Sequence, residues 1–193
     1  PAGKYIGNSR YKDVCAASTS ADLTSYRNKW GAETGLDVAL YRPVARYELI
    51  AKDVKAFLNK LGTGGLKGES FTARVKYSDY LPTGYNLMDD VPKNSLMYME
   101  YKVDFERPAD GTEELKLGFD YVLVSAGETA SIPVELEILN EKNEGLARTV
   151  LRIPCERDKN TTVRGNFLTS DVNGGIGIDP GYDGDLEVDL GEL

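Results

Sequence analysis

The chain has 193 residues, enough for one large domain or two small ones, and its 41% hydrophobic content supports a substantial core. A net charge of −8 opposes binding to phosphate backbones, and no apolar run approaches the roughly 18–20 residues that span a bilayer. Histidine is absent; that removes the usual general base, the usual proton shuttle and the commonest metal ligand, so Ser-His-Asp and Cys-His sites are excluded and a non-enzymatic role is expected.

The first 35 residues are irregular, with residues 23–30 either a short helix or a loop. Residues 36–49 read as one long strand, with Val38, Leu40 and Val44 as inward positions. Pro43 inside that run predicts an edge, a bulge or a break, because proline cannot donate to a ladder. Residues 52–61 place Val54, Phe57, Leu58 and Leu61 at helical spacing, and Gly62 follows as a C-cap. Gly64 and Gly65 then open a loop.

Phe71, Ala73, Val75 and Tyr77 alternate with Thr72, Arg74, Lys76 and Ser78, the pattern of a half-buried strand. Leu96, Tyr98, Tyr101, Val103 and Phe105 form the next. Leu115, Leu117, Phe119 and Tyr121 alternate in turn and lead into Val122, Leu123 and Val124. Ile132, Val134, Leu136 and Ile138 alternate with Glu135 and Glu137. Val150 and Ile153, Phe167 and Leu168, Ile176 and Ile178, and finally Leu186, Val188 and Leu190 supply the remaining strands. Pro82-Thr83-Gly84, Asp110-Gly111, Asn143-Glu144-Gly145 and Asn173-Gly174 are the predicted reversals. Twelve tyrosines suit half-buried strands. The pattern predicts an all-β chain with minor α content, an antiparallel β-sandwich with one short helix. Residues 36–193 form the sandwich domain, and residues 1–35 are a remnant of an upstream domain or an irregular edge segment.

No motif is a strong catalytic signal, although catalysis by carboxylates, Lys or Tyr stays open. Cys15 and Cys155 are too far apart for a CxxC site; outside the cytoplasm they are free to bond, and otherwise they are two small buried side chains. The acidic stretch 179–189 lacks the EF-hand order, since Gly181 stands where a ligand is needed, and reads as a turn and an acidic strand face. Glu135 and Glu137 have the spacing of paired carboxylates but read as a solvated strand face. Gly62-Thr63-Gly64-Gly65 lacks the Lys-Ser/Thr of a phosphate loop. No cofactor and no metal are expected. The opening Pro1-Ala2-Gly3-Lys4 is neither an initiator methionine nor a signal segment, so the chain is expected to be a processed or trimmed product.

Three stretches occur in a telling order: residues 40–49 (LYRPVARYEL), residues 80–86 (YLPTGYN) and residues 153–169 (IPCERDKNTTVRGNFLT), the last continuing to Ile176-Gly177-Ile178-Asp179-Pro180. Together they resemble the fimbrillin-like proteins of Bacteroidales, with Cys155 and Asp158 departing from the usual pattern. The resemblance implies a transthyretin-like, Greek-key β-sandwich, made as a lipoprotein precursor and placed on the cell surface or outer membrane in a fimbrium. It implies other fimbrial subunits as partners, a host or bacterial surface ligand, no nucleic acid, and membrane attachment only through the precursor's lipid anchor. With Pro1 as the first residue, much of such a protein's N-terminal domain would be missing.

Such subunits assemble by donating a strand to a neighbour's open sheet edge. Leu186, Val188 and Leu190, apolar against polar Glu187 and Asp189, form the candidate donor strand; this segment, or the N-terminal one, either caps its own sheet or is available for exchange. The alternative function is a surface carbohydrate-binding β-sandwich lipoprotein, with Tyr80, Tyr85 and Tyr182 near turns as glycan contacts. A carboxylate enzyme comes third and would need a deep pocket with two facing acids.

Overall fold

The computed structural model describes residues 5–63, 70–170 and 187–189. Pro43 ends the long strand expected over residues 36–49. Strand β1 begins one residue later and runs Val44–Ala51. Val44 is buried, but Val38 and Leu40, expected inward, are 49% and 71% exposed. Residues before the proline therefore contribute no strand, and only an isolated bridge joins Tyr41 to Ala16.

Helix α1 spans Val54–Thr63, and Val54, Phe57 and Leu61 enter the core as their spacing predicts. The Phe57 amide donates to the Asp53 carbonyl at 2.9 Å, so Asp53 stands at the helix's N-terminal boundary. Gly62 lies inside the helix instead of capping it, and Gly64 and Gly65 fall outside the described residues.

The remaining strands are β2 (Ser70–Tyr77), β3 (Leu81–Asn86), β4 (Val91–Leu96), β5 (Glu100–Glu106), β6 (Leu115–Leu123), β7 (Thr129–Asn140), β8 (Gly145–Glu156), β9 (Asn160–Gly165) and β10 (Glu187–Asp189). Pro82-Thr83-Gly84 does not reverse the chain. It lies within β3, paired to β4, and the reversal comes at residues 87–90. There Asn86 Oδ1 accepts the Met88 amide and Asp90 adopts φ 56°, which spares the hairpin a glycine. The strand expected through Leu96 and Tyr98 into Phe105 is divided between β4 and β5, because Tyr98 takes φ 59° and points into solvent. Asp110-Gly111 and residues 141–144 reverse the chain as their turn residues predict. Asn173-Gly174 falls outside the described residues.

Two four-stranded sheets, ordered β10-β9-β1-β6 and β5-β2-β7-β8, face each other across one core, with the β3-β4 hairpin beside them. This is an all-β sandwich with, among the described residues, a single short α-helix. One pairing departs from the antiparallel expectation: β1 and β9 run parallel, Arg46 opposite Asn160 through Ala51 opposite Gly165. The alternating apolar residues supply both inner faces, Tyr47, Leu49, Leu117, Val122 and Val163 from one sheet and Phe71, Val75, Leu136, Ile138 and Ile153 from the other. Each such side chain contributes roughly 1.5–3 kcal/mol through its burial. Helix α1 closes one end, where Phe57 meets Phe71 edge-on at 5.2 Å and Phe71 stacks on Phe105 at 5.5 Å. Glu135 and Glu137 sit on the outer face of β7, in an ion-pair ladder with Arg74, Lys76 and Arg148.

Candidate functional site

One polar cluster in the core is built around a buried carboxylate. Sequence alternation sets Leu117, Phe119 and Tyr121 on a single face. The pairing of β6 with β1 slips at Leu49/Ile50, where Leu49 faces Gly118 and Ile50 faces Lys116, so Leu117 is an extra residue. Gly118 accommodates this bulge at φ 152°. The slip reverses the side-chain parity beyond it. Phe119 and Tyr121 turn to the outer face, where Phe119 lies under the Arg46 guanidinium at 4.9 Å and the Lys116 ammonium at 5.0 Å. Asp120 turns inward and is fully buried.

An N-terminal strap reaches across to meet it. Asn8 lies beside β6, and its amide donates to the Phe119 carbonyl at 3.0 Å. This contact and the Ala16–Tyr41 bridge hold the strap's two ends, with the short 3₁₀ turn Arg10–Lys12 between them. Gly7 lies flush on Tyr101, where a Cβ would come within 2.2 Å of the ring, so only glycine allows the approach. The strap thereby delivers Tyr5 and Lys12 to Asp120. The Tyr5 and Tyr77 hydroxyls donate to Oδ2 at 2.5 and 2.6 Å, the Lys12 ammonium donates to Oδ1 at 2.7 Å, and the Tyr121 amide donates to Oδ1 at 2.8 Å. Tyr47 extends the network, with its hydroxyl 2.7 Å from that of Tyr77 and 3.3 Å from that of Tyr101.

Four donors on one dry carboxylate meet the requirement that a buried charge be paired and hydrogen-bonded. Burial lowers the pKa of the Lys12 ammonium, against the opposing pull of Asp120. Burial first, and the charge of Asp120 with it, raises the phenols of Tyr5, Tyr47, Tyr77 and Tyr101, which therefore stay protonated as donors. Nothing in the local sequence announced Tyr5, Lys12 and Asp120 as a unit. The one available signal is Gly118 with Asp120 two residues later, inside an apolar alternation.

A second cluster joins all three stretches that resemble fimbrillins. The Arg157 guanidinium lies over the Tyr41 ring at 4.3 Å and donates to the Tyr85 hydroxyl at 3.1 Å and to Asp90 at 2.8 Å, while the Tyr85 hydroxyl donates to Asp90 at 2.7 Å. Hydrogen bonds from Arg157, Tyr85 and Tyr41 lower the pKa of the Asp90 carboxyl to about 2. Burial and its bond to Asp90 raise the Tyr85 phenol to about 12. These groups tie the segment leading into β1, the β3-β4 hairpin and the β8-β9 turn together.

The predicted contact residues are dispersed. Tyr85 has its hydroxyl committed to Asp90 and Arg157, Tyr80 is 63% exposed before β3, and Tyr182 lies outside the described residues. Of the candidate donor strand, Val188 belongs to β10, whose backbone pairs antiparallel with β9, Val188 opposite Thr161; Leu186 and Leu190 lie outside the described residues. The cysteines are unbonded, and only Cys155 is buried. Cys15 is exposed on the strap, which corrects the expectation of two buried side chains. Among the described residues no three His, Cys, Asp or Glu side chains converge as a metal would require. A cleft of about 700 Å³ lies between the strap and the start of β5, lined by Tyr5, Ile6, Leu96, Met97, Tyr98 and Tyr101 among others.

A family model matches residues 1–191. The chain belongs to DUF6562, a family of unknown function. No curated protein matches it. Among solved structures it is similar to a "putative cell adhesion protein" from Bacteroides ovatus, at 13% identity and a TM-score of 0.33, over 72% of this chain and 48% of that one. The chain thus spans about half the length of that protein. The DUF6562 match takes in the strap, the sandwich and both clusters, while the fimbrillin likeness of the three stretches remains a resemblance.

Proposed function

We propose that this chain is a structural or adhesive subunit of a cell-surface fimbria, a non-enzymatic protein whose partners are other subunits joined by strand donation. The observation that carries this reading is the attachment of β10: three described residues at the margin of a sheet, paired antiparallel with β9. A short edge strand has few ladder bonds to lose and leaves behind an edge that another chain can pair. The order of the three fimbrillin-like stretches supports the same reading, and it brings with it a lipid-anchored precursor and a surface location. Deleting residues 185–193 tests it. Subunit addition should cease while the remaining chain stays folded by circular dichroism; polymers that still form would exclude the C-terminal segment as donor.

A surface carbohydrate-binding role is the second reading, favoured by the exposed rings of Tyr80 and Tyr98 on neighbouring loops. Glycan-array binding lost on Tyr80→Ala, with assembly intact, would select it over the first.

A further inference from the structure

Lys12 and Asp120 are 108 residues apart in sequence, yet their side chains meet at 2.7 Å beneath the N-terminal strap. We propose that they condense into an isopeptide bond: the Lys12 Nζ becomes amide-linked to Asp120 Cγ, one water leaves, and the strap is covalently stapled to β6. The reaction balances without an external reagent. A proton passes from the ammonium to the carboxylate, the neutral amine attacks Cγ, and an Oδ departs as water with that proton and one released from nitrogen. No oxidant, metal or activated ester is required.

Three features of the site favour it. First, the reactants are held in place by the fold. Well-oriented intramolecular pairs react as though at effective concentrations on the order of 10⁵–10⁸ M, and here the strap is fixed on both sides of Lys12, by Asn8 on Phe119 and by Ala16 on Tyr41.

Second, burial disfavours the charged form of Lys12. Asp120 is fully buried and the Lys12 side chain is only 28% exposed. A buried ion pair loses much of its Coulomb attraction to desolvation, and condensation removes both charges at once. Burial already lowers the pKa of Lys12, which favours the nucleophilic free amine.

Third, the carboxyl is polarised as an acyl acceptor. The Tyr5 and Tyr77 hydroxyls both donate to Oδ2, and the Tyr121 amide donates to Oδ1. These fixed donors face the oxygens on which negative charge grows as the amine adds. The partial exposure of Lys12 leaves a path for the departing water.

This staple stands whether or not the chain is a fimbrial subunit, because it depends only on the folded monomer. Intact-mass spectrometry of the folded chain, followed by protease digestion and peptide sequencing, tests it. The wild type should weigh one water less than its sequence, and it should yield a branched peptide joining the segments around Lys12 and Asp120. Lys12→Arg, which keeps the positive charge but forms no such amide, should show the full mass. A wild type that keeps its full mass after prolonged incubation overturns the proposal. So does a water loss that maps elsewhere, such as a succinimide at Asp110-Gly111.

Discussion

Asn8 plays the part of a strand residue for Phe119: its backbone amide donates to the Phe119 carbonyl at 3.0 Å while its side-chain Oδ1 accepts the Phe119 amide at 3.2 Å. One residue thus satisfies both outward backbone groups of β6 at the point where the bulge has just turned Asp120 inward. The edge is covered at this position without a full ladder, and the strap is registered so that Tyr5 and Lys12 reach the carboxylate.

The bulge at Gly118 should tolerate no side chain. A Cβ there would meet Val103 Cγ2 at 3.2 Å and Tyr101 at 3.3 Å, on a backbone of φ 152° that L-residues rarely adopt. Gly118→Val should cost about 3 kcal/mol in chemical denaturation, from strain and overpacking together.

Asp53 holds the chain that follows β9 against the helix. Its carboxylate accepts the Leu168 amide at 3.0 Å, the Thr169 amide at 2.8 Å and the Thr169 hydroxyl at 2.7 Å. Asp53→Ala would leave the fully buried Leu168 with an unpaired N–H, and should cost about 2–3 kcal/mol by urea titration.

The two thiols should separate cleanly by reactivity. Burial raises the Cys155 thiol to about 12, whereas Cys15 is exposed on the strap. A thiol-disulfide reagent near neutral pH should therefore modify Cys15 alone in the native protein and both cysteines in denaturant.

Asp90 links the second cluster to acid stability. Its folded pKa of about 2 lies below the ordinary value of about 3.9, so its interactions stabilise the fold above the ordinary value and are lost as pH falls toward the folded one. Thermal melts of the wild type and Asp90→Asn should differ at neutral pH and converge between pH about 4 and about 2.

Strand β2 was legible in full, because nothing interrupts its alternation: Phe71, Ala73, Val75 and Tyr77 are all buried. Helix α1 was legible from the spacing of Val54, Phe57 and Leu61 for the same reason. Strand β6 was legible as a strand but not as a surface, since the slip opposite Leu49/Ile50 is decided by a partner some 70 residues away and reverses every side chain beyond it. The stretch Pro82-Thr83-Gly84 carries turn residues, yet pairing with β4 makes it a strand. The Asp120 cluster is not legible in the sequence because its members come from three distant parts of the chain, each ordinary in its local context.

The parallel alignment of β1 with β9 has a temporal consequence. Arg46 cannot find Asn160 until more than a hundred intervening residues have been made, whereas β7 and β8 adjoin in sequence and need only a short turn to meet. Closing so long a loop is entropically slow. A nascent molecule emerging from a ribosome or a translocation pore would therefore carry β1 unpaired along that side while that span is being made, and protection of that strand from premature association falls to whatever escorts it on the way.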